Sequence, residues 1–378
     1  MRPSRIDVDL DAVRHNVAAI ADLASPSELC AVVKADAYGH GDVPVAWAAL
    51  GAGATSLAVA LPAEAIRLRE ADIDAPVLLL SEPPADAAAT LVRWGITPTV
   101  YRPEFVDALS AAAPAGGVGV HLKVDTGMHR VGVPPESTVA LAHRILDTGL
   151  RIDALWTHLA VAEEDPEFTA VQVERFDAVV ADLAEAGIEI SRHHLANTAG
   201  TLLHHPRAGR DMVRVGLGIY GLYPSEASRS LVELVPAMRV VSQVAYLHSL
   251  PAGTRPSYGR RRPLPSAGRV ATVPIGYADG VPRLLSSRQA EVLIRGRRFP
   301  LAGTITMDQL VVDVADATVE VGDEVVLIGD QKGERISADD WAATTETISY
   351  EIVCRMGPRL PRRHLGGEVA RPPASTVT

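Results

Sequence analysis

A lysine closes the apolar run Ala31-Val32-Val33-Lys34, and Ala35-Asp36-Ala37-Tyr38-Gly39-His40-Gly41 follows as a glycine-rich turn bearing one tyrosine. Residues 29–33 read as a buried strand, so Lys34 stands where the strand emerges, its ammonium partly desolvated and its pKa open to being lowered. An amine placed in that way serves as a nucleophile or a base. An isolated lysine at a strand end more often snorkels to water, and the adjoining Tyr38, Gly39 and Gly41 set this one apart. Arg214 lies inside Met212-Val213-Arg214-Val215, an apolar strand that suits a surface ion pair poorly. His158 closes Leu155-Trp156-Thr157-His158, where a satisfied core histidine is the ordinary reading. Gly216-Leu217-Gly218-Ile219-Tyr220-Gly221 matches the G-x-G-x-x-G spacing of a dinucleotide turn. That fingerprint should open a helix, but Leu222-Tyr223-Pro224-Ser225 follows it here. The glycines fit better at a strand end, where backbone N–H groups approach a phosphate, with Asn197 and Thr198 completing the cradle from a neighbouring loop. Asn197 is equally suited to capping a helix.

These residues need a frame. Val/Ile/Leu-rich segments at 29–33, 56–60, 77–80, 97–100, 119–124, 155–158, 193–195 and 212–215 alternate with amphipathic stretches such as 11–20, 43–50, 63–71 and 170–186. The alternation predicts βα units around a parallel sheet, and eight of them predict an α/β fold of the (β/α)8 TIM-barrel type. Periodicity alone also allows a doubly wound sheet. The position of Lys34, His158 and Arg214 at the C-terminal ends of their strands favours the barrel. After Glu233 the texture changes to closely spaced β runs at 238–245, 269–274, 291–294, 309–314 and 324–328. The expected organisation is a barrel over 1–232 and a mainly β domain over 233–378, the first ten or so residues able to pair with the β domain and the tail frayed from about 371.

Charge and composition remove several classes. A net charge of −10 argues against a nucleic-acid surface, and Arg260-Arg261-Arg262 reads as a solvated loop. No run approaches the ~18 apolar residues of a membrane span, and Met1-Arg2-Pro3-Ser4-Arg5-Ile6-Asp7 lacks a signal-peptide core, so a cytoplasmic protein is expected. Cys30 and Cys354 are too few for a disulfide framework, and the histidines show no H-E-x-x-H spacing, so no metal is expected.

Eight further strings complete the pattern opened by the Lys34 motif: Lys123-Val-Asp-Thr-Gly-Met-His-Arg130-Val-Gly, Trp156-Thr-His158, His194-Leu-Ala-Asn197-Thr198, Val213-Arg214-Val-Gly216, Ser257-Tyr258-Gly259, Ile275-Gly-Tyr277-Ala-Asp279-Gly, Gly303-Thr-Ile-Thr-Met307-Asp308-Gln309 and Ser349-Tyr350-Glu351. Each is similar to a motif of the alanine racemases, in that family's order, and the set spans nearly the whole chain. The resemblance implies a barrel plus β domain in a head-to-tail homodimer with two shared sites. It also implies pyridoxal 5'-phosphate as cofactor and alanine as substrate, with D-alanine supplied for peptidoglycan.

Carried over by position, Lys34 resembles the lysine that holds the cofactor as a Schiff base and then serves one face of the substrate Cα. Tyr258 resembles the second base, donated by the partner subunit to the other face, and His158 is similar to a residue relaying between that base and Arg214. In the family an arginine at position 214 faces the pyridine nitrogen; a guanidinium does not hand that nitrogen a proton, so the ring is a weaker electron sink, which suits racemisation. Tyr38, Asn197, Thr198, Gly216, Leu217 and Tyr350 map to phosphate binding, and Arg130 with the Met307 backbone maps to the substrate carboxylate. Tyr277, Arg283 and Glu163 match positions lining the way into the site. Lys123 matches a lysine that is carbamylated in many relatives, and an ordinary lysine salt bridge explains it nearly as well. Two departures are Thr306, where many relatives have cysteine, and Thr198, where serine is common. A decarboxylase on the same barrel is disfavoured by Arg214 and Tyr258, and a non-catalytic cofactor-binding barrel by the second domain. A racemase of broader substrate range remains the nearest alternative.

Overall fold

Strand β1 (Arg5–Asp9) does not join the repeat that follows it. The repeat opens with the helix Leu10–Ala24 and continues through β2 (Glu28–Val32), β3 (Ala54–Val59), β4 (Val77–Leu79), β5 (Thr97–Val100), β6 (Gly119–Lys123), β7 (Arg151–Trp156), β8 (His193–His194) and β9 (Met212–Val215). These eight strands form one sheet in the order β8-β7-β6-β5-β4-β3-β2-β9, and every pairing in it is parallel. Two backbone bonds bridge the remaining gap between β8 and β9, from Asp211 N to His193 O (3.1 Å) and from Arg214 N to Ala196 O (3.0 Å). The sheet closes into the expected barrel. Its strands are almost wholly buried, because helices cover the outer face and side chains fill the inside.

The helices start where the sequence allows. Pro62, Pro103 and Pro166 each open one, needing no N–H there, and the Asp165 side chain caps Pro166–Glu185 by accepting from Phe168 N at 2.9 Å. Helix Leu10–Ala24 completes the outer ring: Asn16 Nδ2 donates to Ile219 O (3.2 Å) and Val235 O (2.8 Å), tying it to the chain beyond β9.

The computed structural model describes residues 2–205 and 207–367; the tail expected to fray from about 371 lies outside them. The chain divides into two compact units, one built from Asp11–Ala37 and Asp42–Val235, the other from the residues up to Leu10, Tyr38–Gly41 and Pro236–Gly367. The second unit contains β10 (Met238–Gln243), β11 (Tyr246–Leu250), β12 (Gly268–Val273), β13 (Glu291–Ile294), β14 (Arg297–Pro300), β15 (Leu310–Ala315), β16 (Glu324–Gln331), β17 (Glu334–Ile336) and β18 (Arg362–Leu365). One sheet runs β14-β13-β16-β10-β1-β18 with β17 added to β16, and a three-stranded sheet runs β11-β12-β15. Strand β1 is antiparallel to β10 and parallel to β18. Buried Asp7 on β1 takes a two-pronged bond from Arg363 at 2.8 Å per prong. Short helices Ala338–Thr345 and Ser349–Cys354 interrupt the β pattern. No helix among the described residues is long and apolar enough to cross a membrane.

Candidate active site

Lys34 follows β2 as expected, half-buried, but the turn after it is not a simple glycine turn. Ala35, Asp36, Ala37 and Tyr38 have φ of 54°, 54°, 51° and 53°, and Gly39 continues at 80°. The segment Lys34–Gly39 therefore winds as a left-handed helical turn through four residues that carry a Cβ. Each such residue costs ~1–2 kcal/mol in that conformation, so the turn exists only where surrounding structure holds it. Ala37 N donates back to Val33 O at 2.9 Å. At Gly39 a Cβ would stand 2.5 Å from Val353 O, so both φ and space require glycine there.

Arg214 is buried in β9 and donates to five acceptors: His194 O (3.0 Å) and Nδ1 (2.8 Å) from Nη1, and Thr157 O (2.8 Å), Leu195 O (3.0 Å) and His158 Nδ1 (3.3 Å) from Nη2. The Nε–H is the one guanidinium donor that no described residue takes up. Burial pushes the guanidinium down to about 10, which leaves it charged at neutral pH. Trp156 underlies this cluster, with Arg214 Cζ 4.5 Å and Lys123 Nζ 4.2 Å from its ring centre and the His194 ring stacked on it at 5.3 Å. Because Arg214 donates to His194 Nδ1, the proton of that ring belongs on Nε2, 3.0 Å from His121 Nδ1.

Lys123 is buried at the end of β6 and makes no ion pair with a described residue. Burial first, then the charges of Arg214, Arg130 and Lys34, push its amine down to about 7 against the pull of Asp125. The same causes hold the His158 imidazole well below its ordinary range, and its Nδ1 contact with Arg214 assigns the ring proton to Nε2. Arg130, exposed after β6, has no hydrogen bond or ion pair to a described residue. Glu163 lies in the loop between β7 and the helix Pro166–Glu185.

Asn197 does cap a helix: its side chain accepts from Gly200 N at 2.8 Å at the start of Thr198–His204. Thr198 Oγ1 accepts from Gly216 N (3.1 Å) and Gly218 N (3.5 Å), which leaves its own hydrogen to donate. The turn Leu217–Tyr220 after β9 is a single 3-10 turn, so the dinucleotide reading fails on context as expected. A Cβ at Gly218 would meet Ile20 Cδ1 at 2.7 Å and Thr198 Cγ2 at 3.1 Å. A strand end with a hydroxyl proton left to donate and close-packed glycine backbone fits a phosphate-bearing cofactor.

The second unit collects the other singled-out residues. Ser257 Oγ donates to Thr304 O (2.5 Å) and Thr304 Oγ1 to Tyr258 O (2.8 Å); Tyr277 N and Ala278 N donate to Thr306 O (3.0 Å) and Met307 O (3.1 Å). Thr306 Oγ1 donates to Gln309 O at 2.9 Å and so closes the Met307-Asp308 turn. Tyr258 is 73% exposed and Met307 52%. Arg283 borders a cleft of about 590 Å³ together with Arg261, Arg262, Gly303 and Thr304. Tyr38 and Tyr350 stand 6.3 Å apart between ring centres, and burial raises the Tyr38 phenol.

Sequence reasoning missed three supporting side chains. Gln172 donates to His158 O (3.1 Å) and Thr126 Oγ1 (3.2 Å) and accepts from Ala160 N (2.8 Å). His121 extends the Arg214–His194 chain down the barrel. Glu64 accepts from Ala35 N at 2.7 Å. Their shared signal is a polar residue on an otherwise apolar face.

The family model for the alanine racemase N-terminal domain matches residues 8–224, and that for the C-terminal domain matches 237–364. The alanine racemase of Symbiobacterium thermophilum is 44% identical over 376 residues, covering 98% of this chain and 99% of that protein. The crystal structure of alanine racemase from Streptomyces lavendulae superposes with a TM-score of 0.90 at 37% identity, covering 97% and 98% of the two chains. A histidine racemase from Leuconostoc mesenteroides superposes with a TM-score of 0.89 at 28% identity, covering 97% and 98%.

Proposed function

Because the chain belongs to the alanine racemase family, we propose that it interconverts L- and D-alanine, using pyridoxal 5'-phosphate carried on Lys34 and two bases on opposite faces of the substrate. The observation that carries this reading is Arg214: its terminal nitrogens are committed to protein acceptors and its Nε–H alone is left to face a ring nitrogen. The cofactor supplies an electron sink for the Cα–H bond. A guanidinium keeps its own proton, and the sink stays weak enough to return the proton instead of diverting it.

Within this reading Lys34 Nζ takes or gives the Cα proton on one face, and Tyr258 Oη, brought by the partner subunit, does so on the other. Two faces need two bases, because one base returning its own proton gives back the same enantiomer. His158, neutral with its proton on Nε2, is a hydrogen-bond donor able to orient a phenol, and Gln172 holds its backbone. Thr198, Asn197, Gly216 and Leu217, with Tyr38 and Tyr350, hold the phosphate. Arg130, with no counter-ion among the described residues, and the Met307 backbone take the substrate carboxylate. Lys123 carries a carbamate that orients Arg130; an amine held near 7 is about half unprotonated at neutral pH, and the unprotonated form is the one that attacks carbon dioxide. Tyr277, Arg283 and Glu163 line the way in. The working form is a cytoplasmic head-to-tail homodimer supplying D-alanine for peptidoglycan.

A chiral assay of the purified protein against L- and D-amino acids, histidine included, tests the reaction. Alanine should racemise fastest, and turnover of histidine alone would replace the substrate. Borohydride reduction followed by peptide mass spectrometry should find the cofactor on Lys34; an adduct on another lysine sinks the assignment.

A further inference from the structure

We propose that Glu64 is a positioning residue for Lys34, acting by holding the left-handed turn that begins at Ala35; the catalytic part of this rests on the reading of Lys34 given above. The Glu64 carboxylate is 8% exposed and accepts three backbone N–H groups. Its Oε2 takes Ala60 N (2.9 Å) and Leu61 N (3.0 Å), which caps the helix Pro62–Glu70. Its Oε1 takes Ala35 N at 2.7 Å, 29 residues back along the chain. A helix cap needs only the first pair. The third bond joins the end of β3 to the first left-handed residue after β2.

Ala35 is where that bond matters most. It is the first of four consecutive residues with a Cβ at positive φ, a run that reverts to ordinary backbone unless held. On the strand side, Tyr220 Oη donates to Val32 O at 2.8 Å and Val33 N to Ala58 O at 2.9 Å. Lys34 is thus flanked by an anchored strand end and an anchored turn. Those two anchors fix the backbone on either side of the Lys34 side chain.

Glutamine separates the two jobs of Glu64. An amide has one acceptor oxygen, and its NH2 cannot face an N–H. Turned toward Ala60 and Leu61 it keeps the cap and abandons Ala35. Amide exchange in cofactor-free protein reads this directly. In the parent, Ala35 N–H should exchange as slowly as the neighbouring strand amides. In Glu64→Gln it should exchange about 10-fold faster or more, as expected for loss of a hydrogen bond to a charged group, while Ala60 and Leu61 stay protected. In loaded enzyme the same variant should lose about 10-fold in kcat with little change in KM for alanine, as a misdirected base requires. Ala35→Gly added to Glu64→Gln should restore part of kcat, because glycine adopts positive φ without the steric cost.

An unchanged Ala35 exchange rate in Glu64→Gln overturns the proposal, as does an unchanged kcat. A uniform loss of protection over the whole barrel, with no rescue by Ala35→Gly, also overturns it by reducing Glu64 to a fold requirement. If the variant does not fold, rapid exchange of Ala35 in the parent protein still refutes the anchor. Borohydride trapping at another lysine would instead defeat the cofactor assignment and leave the amide-exchange result standing on its own.

Discussion

Replacing Arg214 by leucine removes the donor for five acceptors inside the barrel mouth. Of these, His194 O keeps a bond from Thr157 N at 3.3 Å, and the His158 Nδ1 contact is the longest of Arg214's five at 3.3 Å. Thr157 O, Leu195 O and His194 Nδ1 lose their donors outright. A buried acceptor left without its partner costs ~1–3 kcal/mol, so three cost ~3–9 kcal/mol before water enters. Partial hydration at the strand ends and the removal of a desolvated charge reduce this, and we expect about 3–5 kcal/mol of lost stability. Arg214→Lys keeps a charge and three donors on one nitrogen, and should lose about half as much.

The assay is urea unfolding of cofactor-free protein followed by tryptophan fluorescence, since Trp156 lies under the guanidinium. Cofactor removal excludes any contribution from ligand binding. A second readout is His158: Arg214 is the largest charge holding its imidazole down, after burial, so its pKa should rise in Arg214→Leu without reaching the ordinary histidine value. A loss below about 1 kcal/mol would mean that the carbonyls are satisfied another way and that the network does not order the site.

Lys123 gives a pH prediction of definite sign. Its folded value of about 7 lies below the ordinary 10.5, so between those pH values the unfolded chain holds a proton that the folded chain does not. With carbon dioxide excluded, stability should fall as pH is lowered through that window and level off below about 7; Lys123→Met should lack this slope and gain on the parent toward neutral pH, and a pH-independent difference in unfolding midpoints would contradict it. Labelled bicarbonate should give a carbamate carbon-13 signal that Lys123→Met lacks. Mixing Lys34→Ala with Tyr258→Phe should restore roughly a quarter of the sites if dimers exchange randomly, and no recovery despite proven exchange would put both bases on one chain. In heavy water Tyr258→Phe should exchange the α-hydrogen of D-alanine with retention and leave L-alanine largely untouched; equal exchange of both would mean that one base serves both faces.

The barrel was legible because its strands are apolar on both sides and its helices amphipathic, a contrast that survives in one sequence. Its boundaries were less so. His158 was counted within a strand that ends at Trp156, and β8 keeps only His193 and His194. In the second unit β11 and β14 escaped notice because they are largely exposed and mix charge with apolar residues, as in Arg297-Arg298-Phe299-Pro300. The left-handed turn was invisible for a different reason. Alanine and tyrosine do not favour positive φ, one aspartate is a weak signal, and the glycines that announce a turn come only after it has begun. One contact on the turn comes from Glu64, 29 residues away, and such a contact has no local signature.

The charges around Lys34 suit the binding site proposed for that geometry. Lys34, Lys123, Arg130 and Arg214 depress His158 together, and three of them depress Lys123, with Asp125 alone opposing. Like charges gathered at a half-buried strand end destabilise the fold unless something anionic shares the space. On the proposed reading, a phosphate at Thr198 and Gly216 and a carboxylate at Arg130 would supply that charge from the ligands. Binding of such anions would then draw part of its free energy from repulsion already present in the empty fold, and would make the Lys123 amine easier to protonate.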